Sequence, residues 1–340
     1  MAVFLFQGLI LLLKGNAFIC VWVLKGADMD AISFGEILID FIPGSESGSY
    51  VRNPGGGPAN AAVAMARNGL DVGLYARMGN DDFGRFLSAT MDEYGVKLLT
   101  PELTDRAVTT MAFVTLYPGG ERSFTFARKP GADMLLSRED IRREDIENTK
   151  LVHASSFSMS ENPEADATVY FLKTAHECGK LCAFDINYRN VVWNDDKQAC
   201  AEAVKGILPY IDFLKISDEE VDMIGGEDHV ADVMKEYGIT AVVETLGSRG
   251  ARCYFGGEVL EIAGRKAEAV DATGCGDAFW GGFLACLLTS GVTAVTDVTA
   301  GILEKAITYG NIGGWCCVQV KGGMSALPTR EQIEAVLNER

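Results

Sequence analysis

The chain has 340 residues, enough for two average domains or one large α/β domain, and its 48% hydrophobic and 23% charged content suits a globular protein with a substantial core. Its 30 Lys and Arg face 47 Asp and Glu, a net charge of -17 without a basic run; such a surface repels polyphosphate backbones and argues against nucleic-acid binding. The 9 cysteines include no CxxC pair and the 3 histidines lie far apart, which argues against a structural zinc site and for a reducing cytoplasm.

Residues 1–28 are strongly apolar, yet no basic segment opens them and Lys14 interrupts them. As a secretory signal the stretch lacks a positive start and a small-residue cleavage site. As a membrane span it is broken by Gln7, Lys14, Gly15 and Asn16. It reads as an extension outside the fold, with Met29 resembling a natural start and the folded domain running over 29–340. From residue 31, apolar β-rich runs alternate with helical patterns. Strands are expected at 31–39, 72–77, 151–154, 181–185, 211–216 and 240–245. Helices are expected at 58–69, 83–94, 164–179, 197–207, 218–224 and 230–237. Buried strands separated by helices imply a mostly parallel sheet covered on both faces. Two segments break the rhythm, 41–53 and 107–128, both rich in Thr, Val, Phe and Tyr. The second carries "PGGER" between β-type runs, a hairpin signal, and together they predict a small β lid. Residues 276–290 and 294–312 read as two packed helices, and 329–338 as a final amphipathic one.

The stretch "AVDATGCGDAFWGGFLACLL" (269–288) carries the chemistry. After Gly276 the sequence is apolar on nearly all sides, so the helix is buried. Its start presents the N–H groups of Gly274, Cys275 and Gly276 at the positive end of the helix dipole, an anion site that needs no basic side chain. Asp277 would be a poor neighbour for a bound anion unless it had its own task. General-base removal of a proton from a hydroxyl attacking phosphorus is such a task. The GxGxxF spacing is a weak match to a dinucleotide fingerprint, and no GxxxxGK[ST] occurs anywhere. A Cys275 nucleophile would need a histidine partner, and none is near in sequence. From this stretch alone, a Gly-rich helix start with a capping aspartate stays open.

"DATGCGDAF" (271–279) closely resembles the DTxGAGD signature of ribokinase-like (PfkB) carbohydrate kinases, and "PGGGPANAAVAMARNG" (54–69) followed by "RMGNDDFGRFL" (77–87) resembles that family's N-terminal signature. The resemblance covers about 31–338. It implies a ribokinase-like α/β three-layer sandwich with a mostly parallel central sheet and a β-strand lid, in an ATP-dependent sugar kinase. By this resemblance Asp277 is the base, and the N–H groups of Gly274, Cys275 and Gly276 hold the transferred phosphoryl group. Asp40 and Asn60 would bind sugar hydroxyls, with Gly55, Gly56 and Gly57 letting the chain pass close to the ring.

"GERSFTFARKPGADMLL" (120–136) and "FDINYRNVVW" (184–193) resemble stretches of fructokinases, implying that Arg128 reaches the substrate from the lid and that Arg189 lies near the site. Fructose is therefore the expected acceptor, with 2-keto-3-deoxygluconate the nearest rival. A non-catalytic sugar or nucleotide sensor is the alternative from another class, and the intact Asp277 and GxG count against it. On the ATP side, "ETLGSRGA" (244–251) implies roles for Thr245 and Gly247, and Asn311 fits the adenine side. "LKISDEEVDMIGG" (214–226) matches the NxxE motif that supports Mg²⁺ through water, with Glu220 kept and Ser217 in place of asparagine. Asp271, backbone carbonyls and Ser325 are the implied K⁺ ligands, with Ala272 where threonine is common. The lid strands are a candidate homodimer edge, as in some relatives.

Overall fold

The structure, a computed structural model, describes residues 29–46, 48–115 and 123–339 with their side chains, and the backbone alone at 3–6, 9–14, 17–22, 116 and 122. β1 (Val3–Phe6), β2 (Leu9–Lys14) and β3 (Ala17–Trp22) form an antiparallel meander that pairs with neither other sheet. The chain continues through β4 (Met29–Phe34), β5 (Leu38–Pro43), β6 (Tyr50–Gly55), α1 (Gly57–Arg67), β7 (Val72–Tyr75), α2 (Asp82–Glu93) and β8 (Val96–Leu98). Next come β9 (Met111–Leu116), β10 (Arg122–Ala127), α3 (Arg143–Glu147), β11 (Thr149–Ser155), α4 (Glu164–Glu177), β12 (Leu181–Asp185) and α5 (Lys197–Ile207). The last part holds β13 (Phe213–Ser217), α6 (Val230–Tyr237), β14 (Ala241–Thr245), β15 (Gly250–Phe255), β16 (Glu258–Ala263), α7 (Cys275–Thr289), α8 (Ala300–Val318) and α9 (Arg330–Asn338).

Nine strands form the central sheet in the order β16-β15-β14-β13-β12-β11-β4-β7-β8. From β14 to β8 every pairing is parallel, while β15 and β16 add an antiparallel edge. Alternate side chains of these strands enter two separate cores. Ala183 and Phe213 pack with Trp280 of α7 on one face; Phe184 and Leu214 pack with Phe171 of α4 on the other. Covering both faces is what lets strands such as β12 be buried at every residue. The result is a three-layer α/β sandwich, as the resemblance implied.

The lid is a four-stranded sheet, β10-β9-β5-β6. The strand expected over 31–39 is two strands in two sheets, a correction with a local cause. Gly35 has φ +140, and a Cβ there would lie 2.7 Å from Cγ of Pro58, so the chain breaks at that point and passes from β4 in the central sheet to β5 in the lid. Residues 218–224 form a 3₁₀ turn, Val221–Ile224, in place of the expected α-helix, ended by Gly225 and Gly226, both at positive φ. The β15–β16 hairpin was not expected, although Gly256 and Gly257 at its tip carry a strong turn signal. Residues 118–121 of the "PGGER" tip lie outside the described residues; its flanking strands pair antiparallel, Thr115 opposite Ser123. α8 begins at Ala300, where the Thr299 side chain accepts from Ile302 N–H.

The layer bearing the site is packed through glycines. A Cβ on Gly281 of α7 would sit 2.4 Å from Cβ of Ala64 in α1, and one on Gly313 of α8 would sit 2.9 Å from the Ala278 carbonyl. Gly281→Val is therefore expected to destabilise the protein by about 1–3 kcal/mol through overpacking, read as a lower thermal midpoint. An unchanged midpoint would contradict this account of the α1–α7 contact.

Candidate active site

α7 starts at a left-handed turn, with Gly274 at φ +80 and no side-chain cap. A side chain there would be strained, and its Cβ would lie 3.4 Å from the Gly323 carbonyl. The first N–H groups of α7 thus open towards the space in front of the helix. Cys275 N–H makes a long bond of 3.3 Å to the Ala272 carbonyl. Asp277 lies in the first turn, buried, and its Oδ2 accepts from Asn60 Nδ2 at 2.8 Å. Burial raises its pKa, against the Asn60 hydrogen bond and the charges of Arg189 and Lys215.

Lys215 on β13 was not anticipated. Its ammonium bonds both oxygens of Asp185, at 2.9 and 2.8 Å, and a Cβ on Gly276 would be 3.7 Å from it. Burial alone would pull this lysine down, but Asp185, Glu220 and Asp277 outweigh it and hold its pKa above the ordinary value. Burial lifts Asp185 to about 6 while Lys215 pulls the other way, so near neutral pH the pair is an ion pair. Nζ therefore brings one fixed positive charge beside the helix start.

A cavity of ≈ 780 Å³ opens between this helix start and the lid. Asp40, Gly56, Gly57, Asn60, Arg189 and Asp277 line it, together with Glu36 and the rings of Phe124, Phe126 and Phe157. Gly55 is required by its neighbour: a Cβ there would lie 2.1 Å from Asp40 Oδ2. Burial pushes the Asp40 carboxyl up to about 7, with Arg189 opposing. At Gly57 a Cβ would lie 2.4 Å from Asn187 Nδ2.

Arg128 is not on the cavity wall. Its guanidinium is buried behind Phe157, 4.6 Å from the ring centroid, donating to Asp133 at 2.7 Å, Glu164 at 2.9 Å and Ser160 at 3.2 Å. What reaches the cavity from this cluster is Phe157.

A second cavity, ≈ 300 Å³, lies behind the helix start and is lined by Thr245, Gly247, Asn311, Cys275 and Trp315. Ala272 and Gly276 line both cavities, so the two spaces meet at the N-terminus of α7. Thr245 Oγ1 donates to the Ile216 carbonyl and Asn311 Nδ2 to the Ile262 carbonyl, which fixes their side chains at the wall.

The cation residues fall into two places. Glu220 accepts from Tyr188 N–H at 2.7 Å through Oε1 and from Ser217 N–H at 2.9 Å through Oε2, clamping the loop after β12 to the end of β13. Among the described residues no cluster of three or more His, Cys, Asp or Glu side chains is placed to hold a metal ion. Asp271 accepts from Thr273 N–H at 2.9 Å and from Gly322 N–H at 3.2 Å. A Cβ on Gly322 would be 2.5 Å from Ser325 Oγ, so Asp271 and Ser325 flank the same loop beside the helix start.

Asp185, Lys215, Glu36 and Asn187 were missed by sequence reasoning. A lysine inside the apolar run of β13 was the available signal for the ion pair. Glu36 stood in "GEILID", overshadowed by Asp40.

A buried carboxylate thus lies at a glycine-opened helix start, with one cavity on each side. In comparison with known proteins, the pfkB family carbohydrate kinase profile matches residues 29–330. The chain is 34% identical to Fructokinase-1 of Oryza sativa subsp. japonica over 312 residues, 89% of this chain and 95% of that one. Its fold superposes on a Xylella fastidiosa fructokinase with bound ATP at TM-score 0.84 and 26% identity, covering 92% of this chain and 99% of the other. A Vibrio cholerae fructokinase, solved with fructose, ADP and calcium ion, gives TM-score 0.80 and 30% identity over 91% and 99%. A double mutant of that enzyme holds fructose, ADP and potassium ion. The chain belongs to the pfkB family of carbohydrate kinases.

Arg128→Met leaves Asp133 and Glu164 buried without their cation. It is expected to cost about 3–5 kcal/mol in urea denaturation, the scale of a broken buried ion pair. Full stability with a raised sugar KM would place Arg128 at the ligand instead of behind the wall.

Proposed function

We propose that this protein is a fructokinase, transferring the γ-phosphoryl group of ATP to the 6-hydroxyl of fructose in a reducing cytoplasm. The observation that carries the reading is the position of Asp277, hydrogen-bonded to Asn60 at the point where the two cavities meet. Sequence similarity to the rice enzyme supports fructose as the acceptor. The free cysteines among the described residues suit a reducing compartment.

Fructose occupies the cavity under the lid, its hydroxyls bonded to Asp40 and Asn60, with Arg189 at the mouth. ATP lies along the second cavity between Thr245, Gly247 and Asn311. Glu220 would be the outer partner of a magnesium ion bound to ATP, whose charge would offset that of the phosphates. Asp277 orients the attacking hydroxyl and accepts its proton as the new P–O bond forms and ADP departs with the old one. The N–H groups of Gly274, Cys275 and Gly276, aided by Lys215, hold the charge on the transferred group. Potassium beside Asp271 and Ser325 would steady the loop that presents those N–H groups. The lid excludes water, which would otherwise compete for the phosphoryl group.

An ADP-release assay across fructose, ribose, 2-keto-3-deoxygluconate and nucleosides tests the substrate; fructose is expected to give the largest kcat/KM, and preference for another acceptor would refute the assignment. Asp277→Asn is expected to lower kcat by about 10²–10⁴-fold, the usual contribution of a general base, while calorimetry still detects sugar binding. Undiminished turnover in that variant would remove Asp277 from the chemistry. Because burial raises both Asp277 and Asp40, activity requires their deprotonation at unusually high pH. The sugar kcat/KM should fall as pH drops through about 7. A profile flat down to about pH 5, near where an ordinary aspartate begins to protonate, would contradict this.

A further inference from the structure

Glu36 sits in the turn between β4 and β5, where the chain leaves the central sheet for the lid, and it is 2% exposed. Its Oε1 accepts from Gly57 N–H at 2.7 Å, in the first turn of α1. Its Oε2 is buried and has no partner among the described residues. The side chain lines the cavity beneath the lid. Of the side chains on that wall, Glu36 and Asn60 alone carry a buried oxygen left without a partner among the described residues. Asn60 Oδ1 is one turn further along α1, beside the Asp277 contact. An unpartnered buried polar atom is costly unless something fills its place. Because the Glu36 side chain forms part of the cavity wall, the ligand of that cavity is the candidate partner.

We propose that Glu36 is a further sugar-recognition residue, its Oε2 hydrogen-bonding a hydroxyl of the acceptor one helical turn from the reacting end. This rests on the reading of the cavity as the sugar site. Burial pushes the Glu36 carboxyl up to about 8, with the Gly57 N–H opposing, so at neutral pH it carries a proton. Arg128, Asp133 and Glu164 face it from behind; Asp40, Arg189, Lys215 and Asp277 share the cavity. A protonated Glu36 donates to a hydroxyl oxygen, whereas Asn60 Oδ1 accepts a hydroxyl proton. The pair is matched to a neutral polyol, which presents both functions on adjacent carbons.

Steady-state kinetics of wild type, Glu36→Leu and Glu36→Gln test this, with fructose and ATP each varied. In Glu36→Leu the sugar KM should rise at least about tenfold, as expected when one buried hydrogen bond to a ligand is lost. The ATP KM should stay unchanged. An unchanged sugar KM, or an equal rise for ATP, would overturn the proposal. Should the leucine variant fail to fold, the glutamine variant decides. Wild-type sugar KM should climb as pH rises through about 8, where Glu36 loses its proton. Glu36→Gln, which keeps a donor at every pH, should show no climb; the same climb in both would overturn the proposal. Failure of wild type to phosphorylate fructose would instead strike the substrate reading, and the same comparison would then be run with the sugar that is turned over.

Discussion

The hydrogen bond from Asn60 Nδ2 to Asp277 Oδ2, 2.8 Å long, joins the first turn of α1 to the first turn of α7, and the working geometry of the site hangs on it. A carboxylate buried this deeply is unstable unless its neighbours favour the charge. Asn60, Arg189 and Lys215 supply that support. The two helices can only bring these groups together because their flanks are nearly bare. Gly281 lets α7 lie against Ala64 of α1, and Gly310 and Gly313 let α8 close on the carbonyls of α7 from the other side. The apolar helix that looks like mere core is what aims Asp277.

The protein solves a second problem with few cations. Its net charge is -17, yet it must hold a polyphosphate and a transferring phosphoryl group. The helix start supplies fixed partial charges that need no counter-ion in the empty protein. Lys215 adds one full charge, and Asp185 and Glu220 keep it protonated despite its burial. On the sugar side the logic reverses. Burial lifts Glu36 to about 8, so that wall offers one hydrogen-bonding carboxyl without charge at neutral pH, while Asp40 lies nearer 7 with Arg189 opposing the lift.

The parts of this design that depend on close sequence spacing were legible without a structure. "TGCGD" holds the left-handed turn, the first N–H groups of α7 and the buried Asp277 within five residues, and "GGGPAN" places Gly56, Gly57 and Asn60 on the wall of the cavity beneath the lid. Parallel β/α alternation likewise predicted the sandwich. What escaped depends on contacts far apart in the chain. Arg128 reads as a lid arginine pointing at substrate, but Asp133 and Glu164 capture it, and Glu164 lies 36 residues away. Lys215 looks like a stray charge in an apolar strand until Asp185 on the adjacent strand is placed beside it. The run 31–39 reads as one strand because, Ser33 and Glu36 apart, its residues are apolar on both sides of Gly35; only the approach of Pro58 shows why the chain must break there. Burial, which sets the protonation of Glu36 and Asp40, is a property of the whole fold and leaves no local mark.

The central claim is that the phosphoryl group passes directly to a hydroxyl activated by Asp277, with Cys275 contributing its backbone alone. Stereochemical analysis with ATP made chiral at the γ-phosphorus by oxygen isotopes tests this most directly. A single in-line transfer predicts inverted configuration in the sugar phosphate. Retention would require two displacements through a phosphorylated protein group, and would contradict the account.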